Sequence, residues 1–482
     1  MTLEKSSANP TRLQMIQIQF QERNPYFTGT NHHQAGGRNH LIQKFLLIAI
    51  LCISGLFSND TTAQEGWSLN MCIEYALDNN LDLNQKTNLV KNQEVNLLES
   101  KASLLPGLNM GSDLSANFGR NIDGNTNAIT FERTIGNQYW ISSSLDIFRG
   151  MIKQNTIRYN HYLLSASKEE VSVTKNQLIF NILTSYYTVI FSVGLTEVAQ
   201  GQVALSELQY NRMQKFVDVG RESPITVQEL KSQWAGDKLN LTRAQGNMST
   251  SLLDLKQLLR IEAGQPFNID SITPNLLSAT AVPDIDSLFK SAVNLLPEIK
   301  QQEYLLSASE KELAVAKGGI YPSVYLSAGY NSNFFDGDTL RYITQLENNQ
   351  NQWVNLGIRI PIFNQASVYS LKKRKQIAIE NQEYELQKRK DALYSEIWKA
   401  IDELQSSRNE YQASVESREF SRLSLENVAK KMEKGLASAT DFEASKQRFV
   451  SAEAALLKAK LIYIMRKQML EFYKTGSWNH LY

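Results

Sequence analysis

Cysteine, histidine and proline are all scarce in this chain of 482 residues. The two cysteines are Cys52 and Cys72, too few for a disulfide framework. Three of the five histidines, His32, His33 and His40, crowd into the amino terminus, leaving His161 and His480 far apart. A histidine-based zinc site or catalytic triad would need partners that the sequence does not supply. Neither charge sign is in excess, with 50 Lys+Arg against 49 Asp+Glu. That balance argues against nucleic acid as a partner. The longest apolar run covers residues 45–57, short of the roughly 20 residues a membrane-spanning helix needs. No Gly-Lys-Ser/Thr phosphate loop and no catalytic cluster stands out, so neither an enzyme nor a cofactor or metal is expected. Only ten prolines are present, with none between residues 107 and 223 and none after Pro361. Proline breaks helix interiors and central strands, so those two gaps leave room for very long elements.

The amino terminus reads as a targeting segment. Arg38 and Lys44 precede the apolar stretch, and Ala63 sits at a plausible cleavage point. Residues 41–63 are therefore expected to be a secretory signal peptide, behind an extension at 1–40 that has the look of a mis-assigned start. Leu51 precedes Cys52 where lipid attachment wants a small residue, which argues against lipidation. Removing residues 1–63 takes away five basic and three acidic side chains, leaving 45 against 46.

What remains is one unit written twice. Residues 76–83 resemble 292–299, and residues 104–108 resemble 320–324, both at an offset of 216. Leu145-Asp-Ile-Phe148 resembles Ile360-Pro-Ile-Phe363, and residues 215–220 match 430–435, both at 215. Four matches in order at nearly one offset mark a repeated substructure much longer than a solenoid repeat. The repeats span 64–262 and 285–475, joined by a linker at 263–284 that carries Pro266, Pro274 and Pro283, with a tail at 476–482.

Each repeat follows the same order. A helix of about 36 residues comes first, over 69–104 and again over 285–317, ending at a Pro/Gly signal. Two runs of strict alternation follow, separated by polar loops at 120–137 and 336–351. Leu108, Leu114, Ile141 and Leu145 lie on the apolar face in the first repeat, and Val324, Leu326, Leu356, Ile358 and Ile360 in the second. The period is 2, so these are strands with one apolar and one polar face. Long helical patterns succeed them over 151–216 and 366–431, roughly 100 Å each at the helical rise. Glycine turns at Gly220 and Gly435 then reverse the chain into helices over 224–262 and 438–474.

The strands have the length of tilted transmembrane strands. Phe118, Tyr139, Trp140, Phe148, Phe334, Trp353 and Phe363 stand where aromatic girdles would mark the bilayer interfaces. Strands in lipid must close into a barrel. Four are too few, eight from two chains would be filled by their own side chains, and twelve from three would leave a lumen. A soluble β-sandwich or meander on a coiled coil would show the same alternation; the signal peptide, the absence of disulfides and the duplication together weigh against it.

The order and spacing of these features resemble the TolC-like outer membrane efflux protein family over nearly all of residues 67–475. The resemblance rests on the two repeats, the 76–83 helix opening, the Pro106 and Pro322 junctions, the Asp-Ile-Phe and Pro-Ile-Phe strand ends, and the Gly220 and Gly435 turns. It implies a mainly α fold with a small β part. Three chains would build a trimeric twelve-stranded transmembrane β-barrel in the outer membrane and a long α-helical barrel in the periplasm. It implies a passive exit duct for a tripartite efflux pump or type I secretion system, with a periplasmic adaptor and an inner membrane pump as partners. By the same resemblance, adaptor contacts fall on Gly220, Arg221, Glu222, Ser223, Gly435, Leu436, Ala437 and Ser438. Asp441, with Glu443 close by, would line the closed aperture, while Ala444 departs from the family's acidic ring. The competing reading is a periplasmic coiled-coil adaptor or scaffold without a pore, which would show one hairpin rather than two doubled strand pairs.

Overall fold

The structure, a computed structural model, describes residues 66–478 apart from 123–127, 132, 263, 271–282 and 337–339. The expected extension and signal peptide, most of the linker and the end of the tail lie outside the described residues.

The expected first helix is two helices in each repeat. Helix α1 (Leu69–Asn79) is followed by α2 (Leu81–Ala102), and α5 (Ile285–Leu295) by α6 (Pro297–Gly318). The breaks at Asn80 and Leu296 sit 216 residues apart and have different causes. Pro297 forces Leu296 out of the helical region and then starts α6 at its first turn. Asn80 adopts extended backbone and its side-chain oxygen accepts from the Leu83 N–H at 2.9 Å, capping α2. Each break turns the apolar side of a short helix inward, burying Cys72, Ile73 and Ala76 in one and Leu288 and Ala292 in the other.

The strands β1 (Gly107–Asn117) and β4 (Thr134–Arg149) form the first hairpin, with the short pair β2 (Asn121–Ile122) and β3 (Ile129–Thr130) at its far end. The second hairpin is β5 (Ser323–Phe335) and β6 (Gln350–Arg359), and its expected polar loop contains helix α7 (Tyr342–Asn348). Gln345 anchors that helix: it accepts from the Phe335 N–H at 3.0 Å and donates to the Phe335 carbonyl at 3.1 Å. All four long strands join one antiparallel sheet in the order β1-β4-β5-β6. The two repeats thus meet at β4–β5, and β1 and β6 are the edges. Strand β6 ends at Arg359, so Ile360 lies one residue beyond the strand expected to hold it. Pro361 also falls outside, where no ladder bond is lost.

Helices α3 (Ile152–Asp218) and α8 (Ser367–Glu433) each run 67 residues, roughly 100 Å. Each starts from two consecutive residues in left-handed backbone, Gly150 and Met151 in one repeat and Gln365 and Ala366 in the other. The return helices are α4 (Pro224–Leu259) and α9 (Ala439–Thr475). Helix α2 covers the strand-proximal part of α3, where Lys86 pairs with Glu170. Helix α4 covers the opposite part, where Ser192 and Ser251 hydroxyls meet at 3.0 Å. Four helices therefore lie side by side at each level: α2, α3, α6 and α8 near the sheet, and α4, α3, α9 and α8 further away.

The main core sits midway, where the short helices pack on Ile182, Leu183, Ile190, Leu393, Ile397 and Ile464. Chain entry and linker pair there as well. Trp67 donates to the Asn268 carbonyl at 2.7 Å, and the buried Tyr186 hydroxyl donates to the Asp270 carbonyl at 2.7 Å. A smaller cluster of Met213, Val227, Leu230, Leu425, Met432 and Phe442 joins both helical hairpins near their turns.

Candidate functional site

The register of the sheet sorts its side chains into two faces. One line across it runs Leu108–Ser143–Ala328–Val354, and another runs Met110–Ile141–Tyr330–Gln352. Leu145, Leu326 and Leu356 share that face, as do Leu114, Val324 and Ile358. Leu108 is 71% exposed, Met110 82% and Val354 77%. Helix α7 covers only one end of this face, through Ser332 and Phe334, and the stretch around Leu108, Met110 and Val354 stands uncovered among the described residues. A β-bulge at Ile147 changes the parity, so Phe148 rather than Ile147 comes level with Val324. The opposite face carries Asn109, Asp113, Ser115, Ser142, Ser144, Asp146, Asn331, Asn333 and Asn355.

Two expected girdle aromatics belong elsewhere. Trp140 is level with Gly111 and Trp353 with Gly329, both in mid-strand on the polar face. The Trp140 indole N–H donates to Asp113 at 2.8 Å. Of the other expected girdle residues, Phe118 one residue past β1 and Phe363 four past β6 are largely exposed, and Phe334 packs on Tyr342 with ring centroids 4.6 Å apart.

The two helix turns at the far end are built alike. Gly220 and Gly435 adopt φ of +74° and +70°, which glycine tolerates without a Cβ penalty. The Gly220 and Arg221 N–H groups return to the Val217 and Phe216 carbonyls at 2.9 and 2.8 Å. Gly435 and Leu436 return to Met432 and Lys431 at 3.0 and 2.9 Å. Both are Schellman closures, satisfying the last carbonyls of α3 and α8. Ser223 and Ser438 then cap α4 and α9. Arg221 and Leu436 stand exposed at the tips, while Glu222 and Ala437 are half-buried. Exposed Val219 and Ile225 flank Gly220 and Ser223, adding apolar surface there.

Asp441 is committed locally. Its carboxylate accepts from the Ser438 N–H at 3.0 Å and hydroxyl at 2.7 Å, while the Ser438 hydroxyl accepts from the Asp441 N–H at 3.1 Å. This is a capping box with aspartate in the third position. The hydroxyl and N–H of Ser438 hold the Asp441 carboxyl below its usual range. Glu443 is tied as well, with Oε2 2.7 Å from Lys446 Nζ and Oε1 accepting from Gln447 at 2.9 Å.

Lys446 is the residue that sequence reasoning overlooked. It is 1% exposed and lies 2.7 Å from Asp237, itself 3% exposed. Its ammonium also donates to the Ser206 hydroxyl at 3.0 Å, and that hydroxyl donates to Asp237. The group joins α3, α4 and α9 and so fastens one helical hairpin to the other. A lysine in a polar helical stretch gives no sequence signal that it is buried; only the partner from 209 residues away reveals it.

Residues 288–472 match the outer membrane efflux protein family. The chain is 24% identical over 324 residues to the cation efflux system protein CusC of Escherichia coli, covering 65% of this chain and 67% of that one. It is 23% identical over 320 residues to the probable efflux pump outer membrane protein TtgC of Pseudomonas putida, covering 64% and 63%. The matched stretch thus spans about two thirds of the curated relatives. The fold superposes on a crystal structure of CusC with a TM-score of 0.75 at 17% identity, covering 85% of this chain and 92% of that one. The family match falls on the second repeat, and the elements of that repeat recur 215 to 216 residues earlier. The chain is thus similar to outer membrane efflux proteins, by the family match over residues 288–472 and by fold over 85% of its length.

Proposed function

We propose that this protein is the passive outer membrane exit duct of a tripartite efflux pump or type I secretion system, assembled from three copies. The observation that carries this reading is the four-stranded sheet, exposed and apolar on one face, polar on the other, and unpaired at both edges. An unpaired edge cannot remain in lipid, where each unmet backbone group costs several kcal/mol. Strand β1 has 11 residues and β6 has 10, so β1 of one copy can pair with β6 of the next. Three copies give twelve strands and a water-filled lumen.

The helical edges support the same ring. Outermost helices α2 and α4 lie at one side of the chain and α8 at the other. Along α8, exposed Ile377, Tyr384 and Trp398 recur at multiples of seven. Along α4, exposed Leu239 and Leu253 flank the open Gly246 at the same interval. Apolar residues at that period are what neighbouring helices of a coiled barrel present to one another. The tips around Gly220, Arg221, Glu222, Ser223, Gly435, Leu436, Ala437 and Ser438 would meet a periplasmic adaptor, which links the duct to an inner membrane pump. Asp441 and Glu443 would lie at the aperture as supports of the α9 start rather than as free charges.

Cell fractionation with heat-modifiable gel migration tests the reading. The expected result is an outer membrane species that runs as a trimer until boiled. Recovery in the soluble periplasm, or a monomer in mild detergent, would overturn it. Cysteine pairs placed across β1 and β6 should crosslink between copies and not within one.

A further inference from the structure

Three aromatic side chains on the polar face of the sheet lie flat on glycines of the neighbouring strand. A Cβ placed on Gly111 would come within 2.6 Å of the Trp140 ring, and one on Gly329 within 2.5 Å of the Trp353 ring. A Cβ on Gly357 would come within 2.3 Å of the Tyr325 ring. Each pair is a direct cross-strand register partner. Such an arrangement shields a glycine that would otherwise weaken its strand. Its geometry has a second effect. The ring can lie down only because nothing projects from the partner position.

We infer that these glycine–aromatic pairs set the width of the barrel lumen. The inference rests on the duct reading, which puts the polar face inside. Twelve strands spaced about 4.8 Å apart and tilted about 40° place opposite walls about 24 Å apart, backbone to backbone. A ring lying on the wall takes up about 4 Å of that span on its side, one contact distance. A ring forced upright reaches about twice as far. Trp140 and Trp353 from three copies put six indoles on the inner wall, so their attitude changes the free cross-section strongly. Asp113 holds the Trp140 indole down through its N–H. On the lipid side the adjacent rings, Tyr139 and Tyr330, stand level with Ser112 and Ile141 rather than with glycines.

Polymer exclusion tests the inference. The purified protein is placed in planar bilayers, and its conductance is read while polyethylene glycols of graded mass are added from the barrel side. Gly111→Val and Gly329→Val should lower the mass at which polymers cease to enter. Adding Trp140→Ala to the first and Trp353→Ala to the second should restore entry, because no ring is left to stand up. If the valine variants assemble poorly, Trp140→Ala with Trp353→Ala on native glycines provides the measurement, and its cut-off should rise. A cut-off unchanged from wild type in the assembled valine variants, or in the paired alanine variant, would overturn the inference. A wild-type protein that forms no pore at all would instead overturn the duct reading beneath it.

Discussion

Replacing Lys446 with methionine should loosen the helical tips far more than a surface lysine change would. Methionine keeps the length and volume of the stem and removes only the ammonium. Asp237 would then be left 3% exposed, with the Ser206 hydroxyl as its remaining named partner. Removing one member of a buried ion pair costs about 3–5 kcal/mol, because the other charge stays buried without compensation. Unfolding of a large membrane assembly is rarely reversible, so a melting curve would measure a rate. Hydrogen exchange of the α9 amides at residues 440–450 reads local opening directly. At about 1.36 kcal/mol per tenfold, exchange there should accelerate between roughly 100-fold and 5,000-fold. Lys446→Met with Asp237→Leu removes both charges and should return protection to near the wild-type level, since a well-packed apolar replacement is often neutral or better. A single variant within threefold of wild type would refute the reasoning. So would a double variant as exposed as the single one, because packing rather than charge would then be at fault.

Further outcomes follow from the structure at Gly150, Cys72 and Asp441. Gly150→Ala should destabilise the strand-to-helix joint by about 2 kcal/mol or more, because the new methyl would sit 2.2 Å from the Gly318 carbonyl oxygen at a φ of +57°; assembled protein on unheated gels reads the loss. Burial pushes the Cys72 thiol up to about 12, so a maleimide should label native protein slowly at pH 8 and unfolded protein fast. The same shift makes the folded state hold its proton longer than the unfolded state does, so Cys72 should erode stability as pH rises above the ordinary thiol range. Asp441 has the opposite sign: its cap is fully present above the ordinary aspartate range and is lost as pH falls through its depressed value. Protease nicking near residue 435 should therefore increase only in strong acid, and Asp441→Asn should raise it already at neutral pH.

Much of the architecture could be read from period alone. The glycine turns, the long helices and the hairpins all announce themselves through spacing between 2 and 3.6 residues. The helix break at Leu296 was also within reach, because Pro297 follows it. Its counterpart at Asn80 was not, since asparagine breaks a helix only when its side chain finds a local N–H, a choice made by the surrounding core. Helix α7 escaped notice because seven residues with a single buried anchor, Gln345, show no periodicity. Trp140 and Trp353 misled in a different way. Aromatics at strand ends and aromatics over mid-strand glycines look identical until the register is known. Of the candidate site, the tips were legible from Gly220 and Gly435. The buried Lys446 was not, because a contact 209 residues away leaves no local trace.

The two hairpins close differently, one on the small β2–β3 pair and the other on α7, while the two helix turns close on the same Schellman geometry. In a ring of three chains this has a consequence for symmetry. The periplasmic end would offer six nearly equivalent tips, so a partner there could dock with sixfold or threefold stoichiometry. The outer mouth would alternate two unlike loops and be strictly threefold. Anything that recognises the protein from outside the cell would therefore find half as many sites as anything approaching from within.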